Sequence, residues 1–119
     1  MKTTLAAIAT LFVSLSAYAA DVGGTWHLAV DTQAGKGTPT LVLKQDGDTL
    51  TGTYTGRFGE VPITGTAKDA AIEFTFEVSG MMGSARVTYT GTVDGDTMSG
   101  SMTMNDRPGG TFTGQREAP

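Results

Sequence analysis

The chain predicts an all-β fold, an eight-stranded antiparallel up-and-down meander that closes into a barrel. Three observations point there. The decapeptide DGDTLTGTYT beginning at Asp46 returns at Asp94 as DGDTMSGSMT, each copy a tight turn opening into a strand. Apolar and polar side chains alternate with a period of two along most of the chain, the spacing of a sheet with one buried face. No window carries a helical period.

The first residues read as a leader. Lys2 gives a positive start, residues 5–15 an apolar run and Ala17-Tyr18-Ala19 a small-residue cleavage signal, so residues 1–19 are expected to be a signal peptide and residues 20–119 a single small barrel domain. The apolar run is too short for a stable membrane span. A periplasmic or secreted protein is therefore expected. The chain has no cysteine, which removes disulfides and thiolate metal sites from consideration.

Eight strands are expected at about 25–30, 39–45, 49–56, 61–67, 71–78, 85–93, 97–104 and 111–116. Asp46-Gly47-Asp48, Lys68-Asp69 and Asp94-Gly95-Asp96 supply hairpin turns, because Asp and Gly accept the left-handed backbone that a short link needs. Parity then sorts the faces. Trp26, Leu28, Val30, Leu41, Leu43, Leu50, Tyr54, Ile63, Ile72, Phe74, Phe76, Val87, Tyr89, Met98, Met102, Met104 and Phe112 share one face, and a set of threonines from Thr51 to Thr113 takes the other. Threonine favours strands yet accepts water, which suits a solvated sheet surface. A two-layer sandwich satisfies the same alternation, but its edge strands would lack the Lys and Pro that guard edges, whereas closure removes the edges.

The repeat runs beyond the decapeptide. The same offset matches Trp26 with Phe74, Leu28 with Phe76 and Val30 with Val78, and one inserted residue matches Ile63 and Gly65 with Phe112 and Gly114. A four-plus-four strand duplication and two independent uses of one hairpin solution both account for this. The inward glycines Gly52, Gly65, Gly91, Gly100 and Gly114 also have two readings: relief of crowding in a small coiled barrel, or space left for a ligand.

Charge and motif content narrow the function classes. The chain has 8 Lys and Arg against 12 Asp and Glu and a net charge of −4, without a basic cluster, which disfavours nucleic acid and anionic membrane surfaces as partners. Residues 34–38 (AGKGT) lack phosphate-loop spacing and have no helix behind them, so a hairpin is expected there. The two Asp-Gly-Asp turns lack the further oxygen ligands of a calcium loop. Thioethers at Met81, Met82, Met98, Met102 and Met104 could bind Cu(I), but the last three have inward parity and read as gap-fillers. His27 is the only histidine and points outward, and Glu73 and Glu77 are also outward, so no triad or inward carboxylate pair can be assembled. No catalytic residues, no metal and no cofactor are expected.

Gly24-Thr25-Trp26 at the head of the first strand, followed by Thr-Gly-Thr-Tyr strands in a meander, resembles the calycin superfamily of lipocalins and avidin-like barrels. The pattern is also similar to short exported bacterial Thr-Gly-rich proteins. The calycin resemblance implies that Arg116 packs across Trp26 to close one barrel end. It implies a binding protein for a small hydrophobic ligand held in the interior, near Trp26, Tyr54, Phe74, Phe76, Tyr89, Met102 and Phe112, with the tyrosine hydroxyls as polar anchors. The rival is a filled barrel that meets an envelope or extracellular protein at the loops, through residues 34–38, Phe58 to Glu60, Met81-Met82 and Arg107-Pro108.

Overall fold

The computed structural model describes residues 21–118 apart from Ala34, Phe58, Met81 and Met82. The expected signal peptide lies outside these residues. The strands are β1 Gly24–Thr32, β2 Gly35–Gly37, β3 Thr40–Asp46, β4 Thr49–Gly56, β5 Gly59–Lys68, β6 Ala71–Gly80, β7 Gly83–Asp94, β8 Thr97–Met104 and β9 Arg107–Arg116. From β3 to β9 each strand pairs antiparallel with the next, and β1 bridges β3 and β9, with Trp26 opposite Arg116 and Thr32 opposite Gly110. The sheet is therefore a closed barrel, and the sandwich alternative falls.

The short β2 is not a ninth stave. Val30 faces Gly37 and Trp26 faces Leu41 in one unbroken register, and the Leu28 amide donates to the Pro39 carbonyl across 3.0 Å. Thus β2 and β3 are one barrel strand interrupted at Pro39, which has no amide hydrogen to give the ladder. Of the hairpin expected at residues 34–38, the described residues 35–37 form β2 and pair back on Val30–Thr32.

Turn chemistry sets the registers. Gly47 and Gly95 each sit at φ 63° as the first residue of a two-residue link, between the Asp46↔Thr49 and Asp94↔Thr97 pairs. One hairpin goes unread in the sequence pattern. Asn105 and Asp106 take φ 52° and 68°, the paired left-handed conformation of a type I′ turn, so β9 starts at Arg107 and not at 111. Met102 faces Gly110 but Thr103 faces Pro108, which leaves Gly109 as a bulge residue. That bulge is the inserted residue needed to match Phe112 and Gly114 with Ile63 and Gly65, because it shifts the phase of β9 by one.

Inward alternation fills the barrel with a single core that includes Trp26, Leu41, Leu50, Ile63, Ile72, Phe74, Tyr89 and Phe112. The inward glycines serve this packing. A Cβ on Gly52, Gly65, Gly91 or Gly100 would fall on the backbone carbonyl of Val42, Glu73, Ser99 or Thr90 in the neighbouring strand, and one on Gly114 would meet Leu28 Cδ2 at 2.6 Å. These positions mark close strand approach in a tightly coiled barrel, so they hold no vacant space for a ligand. The parity reading of Met104 needs correction for a different reason. It has the inward phase, but at the end of β8 it stands on the barrel rim, 41 % exposed, and fills no gap.

Pairing is uneven around the barrel. Between β5 and β6 it runs from Lys68↔Ala71 to Thr64↔Thr75 and stops. Among the described residues, the remainder of β5 from Gly59 to Ile63 is laddered to β4, and that of β6 from Phe76 to Gly80 to β7. The barrel is thus fully laddered at one end and carries a seam at the other.

Candidate functional site

Up-and-down topology sends alternate links to opposite ends. The links after β3, β5 and β7 gather beside Trp26 at the sealed end, and those after β1, β4, β6 and β8 surround the seamed end. The two ends differ chemically.

At the sealed end Arg116 ties three segments together. Its Cζ lies 4.7 Å from the centroid of the Trp26 ring. Nη1 donates to the Gly23 carbonyl at 2.7 Å, Nη2 to the Gly95 carbonyl at 2.8 Å, and Nε to Asp96 Oδ1 at 2.9 Å. Trp26 is wholly buried, and its indole N–H donates to the Val22 carbonyl at 3.0 Å. The Val22 amide in turn donates to Gln45 Oε1 at 2.7 Å, fixing the N-terminal segment over the barrel bottom. Phe74 stacks on Tyr89 with centroids 4.9 Å apart, and Phe112 meets the same tyrosine at 4.9 Å and 60°. These rings form a filled lower half.

The other end is open. A cavity of about 420 Å³ occupies the mouth, lined by Val30, Phe76, Val87, Met102 and Met104, by residues 35–39 of the interrupted β2–β3 strand, and by Thr32 and Arg57. Tyr54 and Tyr89 also face it, joined by a hydroxyl–hydroxyl hydrogen bond of 2.7 Å. Tyr54 stacks on Phe76 with centroids 4.4 Å apart. Burial in this apolar setting raises the Tyr54 ionisation above the ordinary 10.0, against a smaller lowering by its bond to Tyr89. Tyr89 is raised further, first by burial and then by the same hydrogen bond and the nearby Tyr54. Both are neutral hydroxyls at physiological pH, able to donate. Lys36 and Arg57 are the charged residues on the cavity wall, and both are positive.

Of the seven residues expected near a ligand, the structure brings Tyr54, Phe76, Tyr89 and Met102 to the cavity and places Trp26, Phe74 and Phe112 in the packed interior. Phe58, Met81 and Met82 lie outside the described residues. Arg107 is the first residue of β9, exposed, beside a second surface depression with Met102 and Met104. Sequence reasoning left Lys36 in a protein-contact loop and did not single out Arg57, although counting which links share an end would have put both at this mouth.

A designed protein shares this fold. It is described as a de novo designed fluorescence-activating β-barrel, and it superposes with a TM-score of 0.55 at 20% identity, over 80% of this chain and 93% of the designed one. That likeness is one of shape. No family model matches the chain, and no curated protein does. Among the described residues no helix is long and apolar enough to cross a membrane, and the outward face of the barrel is rich in exposed threonine.

Proposed function

We propose that this protein is an exported, calycin-like barrel that binds a small hydrophobic molecule in the cavity at its open mouth. The observation that carries the reading is the contrast between ends: a filled, arginine-latched bottom and an apolar cavity of about 420 Å³ at the top with two buried hydroxyls in its wall. A volume of that order suits a small ligand, and apolar walls with a few fixed polar groups are the usual composition of such sites. Binding would be driven by removing apolar surface from water, at roughly 25 cal/mol per Å² buried. Export rests on Lys2, the apolar run and Ala17-Tyr18-Ala19. The calycin-like character rests on Gly24, Trp26 and Arg116.

Native mass spectrometry of the protein isolated gently from its host's envelope tests the reading, compared with the denatured mass of the same sample. The expected result is a mature chain beginning at Ala20 that carries a non-covalent small-molecule adduct, lost on denaturation. An unadorned monomer that also fails to take up environment-sensitive naphthalene fluorophores would overturn it and favour a barrel that works through protein contact.

A further inference from the structure

Two tyrosine hydroxyls that bond to one another spend one proton and keep one. Tyr54 and Tyr89 make a single 2.7 Å hydrogen bond, and either can be its donor. Whichever accepts still holds its own O–H hydrogen. Among the described residues no acceptor takes it, while Tyr54 is 9 % and Tyr89 1 % exposed. When a ligand fills the cavity and displaces the solvent in front of this donor, leaving it unpaired is unfavourable, so a fitting ligand supplies a partner. Both side chains line the mouth cavity with the apolar Val30, Phe76, Val87 and Met102, and Thr32, Thr38, Lys36 and Arg57 supply the other polar side chains of its lining.

We infer that the ligand of the mouth cavity carries a neutral hydrogen-bond acceptor, of the ketone, aldehyde, ester or amide carbonyl class, which receives the remaining proton of the Tyr54–Tyr89 pair. This rests on the cavity being a ligand site. A neutral acceptor fits better than a carboxylate, because Tyr54 and Tyr89 sit among apolar rings where a desolvated anion would be costly. Lys36 and Arg57, the cations that suit an anion, line the same cavity, but among the described residues neither bonds to the tyrosine pair that holds the surplus proton. A ligand whose only polar groups are donors could bond to a tyrosine oxygen but would leave the remaining O–H hydrogen unused.

Two isosteric probes separate the inference from the reading beneath it: 2-acetylnaphthalene, which has a carbonyl, and 2-isopropenylnaphthalene, which has a methylene in its place. Both should bind the wild-type protein. The infrared carbonyl stretch of bound acetylnaphthalene should move to lower wavenumber than in hydrocarbon solvent. In Tyr54→Phe/Tyr89→Phe the stretch should return to its hydrocarbon position, and affinity for the ketone relative to the alkene should fall by about 2- to 10-fold, the worth of one hydrogen bond. Each single Phe variant keeps one hydroxyl and should lose less. If both probes bind wild-type protein but the stretch sits at its hydrocarbon position, the acceptor inference is wrong and the cavity reading survives. That measurement needs no variant to fold. If neither probe binds, both fall.

Discussion

Truncating Arg116 to alanine takes away, in one substitution, the cation over Trp26 and three donors that hold Gly23, Gly95 and Asp96. The terms can be ranked. A guanidinium over an indole contributes about 0.5–2 kcal/mol depending on desolvation. Asp96 is 81 % exposed at its side chain, so its ion pair adds about 1 kcal/mol at most and screens with salt. The two carbonyl bonds come from a side chain only 19 % exposed, and charge-assisted bonds of that kind are worth about 1.5–3 kcal/mol each when fully desolvated. Because the freed carbonyls can rehydrate at the barrel end, a net loss of about 2–4 kcal/mol is expected for Arg116→Ala. Asp96→Ala should cost about 1 kcal/mol or less, and Arg116→Lys should fall between, since one ammonium cannot serve both carbonyls and stack as a plane. Trp26 is the only tryptophan, so urea unfolding followed by its fluorescence reports directly on this end. A midpoint for Arg116→Ala within error of that for Asp96→Ala would refute the argument, because it would leave the stacking and the carbonyl bonds with no measurable worth.

Alkali should also destabilise the fold. Tyr54 and Tyr89 ionise above 10.0 in the folded protein, so beyond about pH 10 the unfolded chain gives up protons that the native barrel retains, and stability falls as pH rises; urea midpoints between pH 8 and 11 should show this in the wild type and a shallower fall in Tyr54→Phe/Tyr89→Phe. A methyl at Gly65 would meet the Phe74 Cα at 2.6 Å, so Gly65→Ala should cost about 1–3 kcal/mol or prevent folding, whereas Gly37→Ala, with nothing nearby and no left-handed φ, should move thermal stability by less than about 0.5 kcal/mol. Gly47→Ala and Gly95→Ala meet no atoms but force a left-handed backbone, at about 1–2 kcal/mol each. The two values should agree closely, and unequal losses would mean that the repeated turns are not mechanically equivalent.

Strand identity and face were legible in this sequence because the buried set alternates cleanly from Leu50 to Tyr54 and from Ile72 to Phe76, and because Gly47 and Gly95 announce their turns. The expected ranges for β4 and β8 coincide with the observed ones. The miss at Arg107 has a physical origin. Arg107-Pro108-Gly109-Gly110 has the composition of a loop, and a bulge lets it ladder with β8 despite a proline and two glycines. Asn105-Asp106 was the signal that could have revealed it. The site was less legible than the fold, since parity tells inside from outside but not how far along the axis a residue lies. Tyr54 and Phe74 are both inward; only strand register shows that one reaches the cavity and the other is packed beneath it. The glycines misdirect for a related reason: a missing side chain reads as space in sequence, but in three dimensions the neighbouring backbone already occupies it.

The seam between β5 and β6 makes the two ends of this barrel mechanically unlike. Above Thr64↔Thr75 the two strands belong to different ribbons, one anchored through β4 and the other through β7, while the arginine latch and the continuous ladder hold the base. Among the described residues no ladder hydrogen bond crosses between the two ribbons at the rim, so the resistance to displacing one against the other there comes from side-chain packing, whereas at the base it comes from the ladder as well. The base is thus tied by backbone bonds and the Arg116 side chain, and the rim by contacts between side chains, which makes the rim the more deformable end.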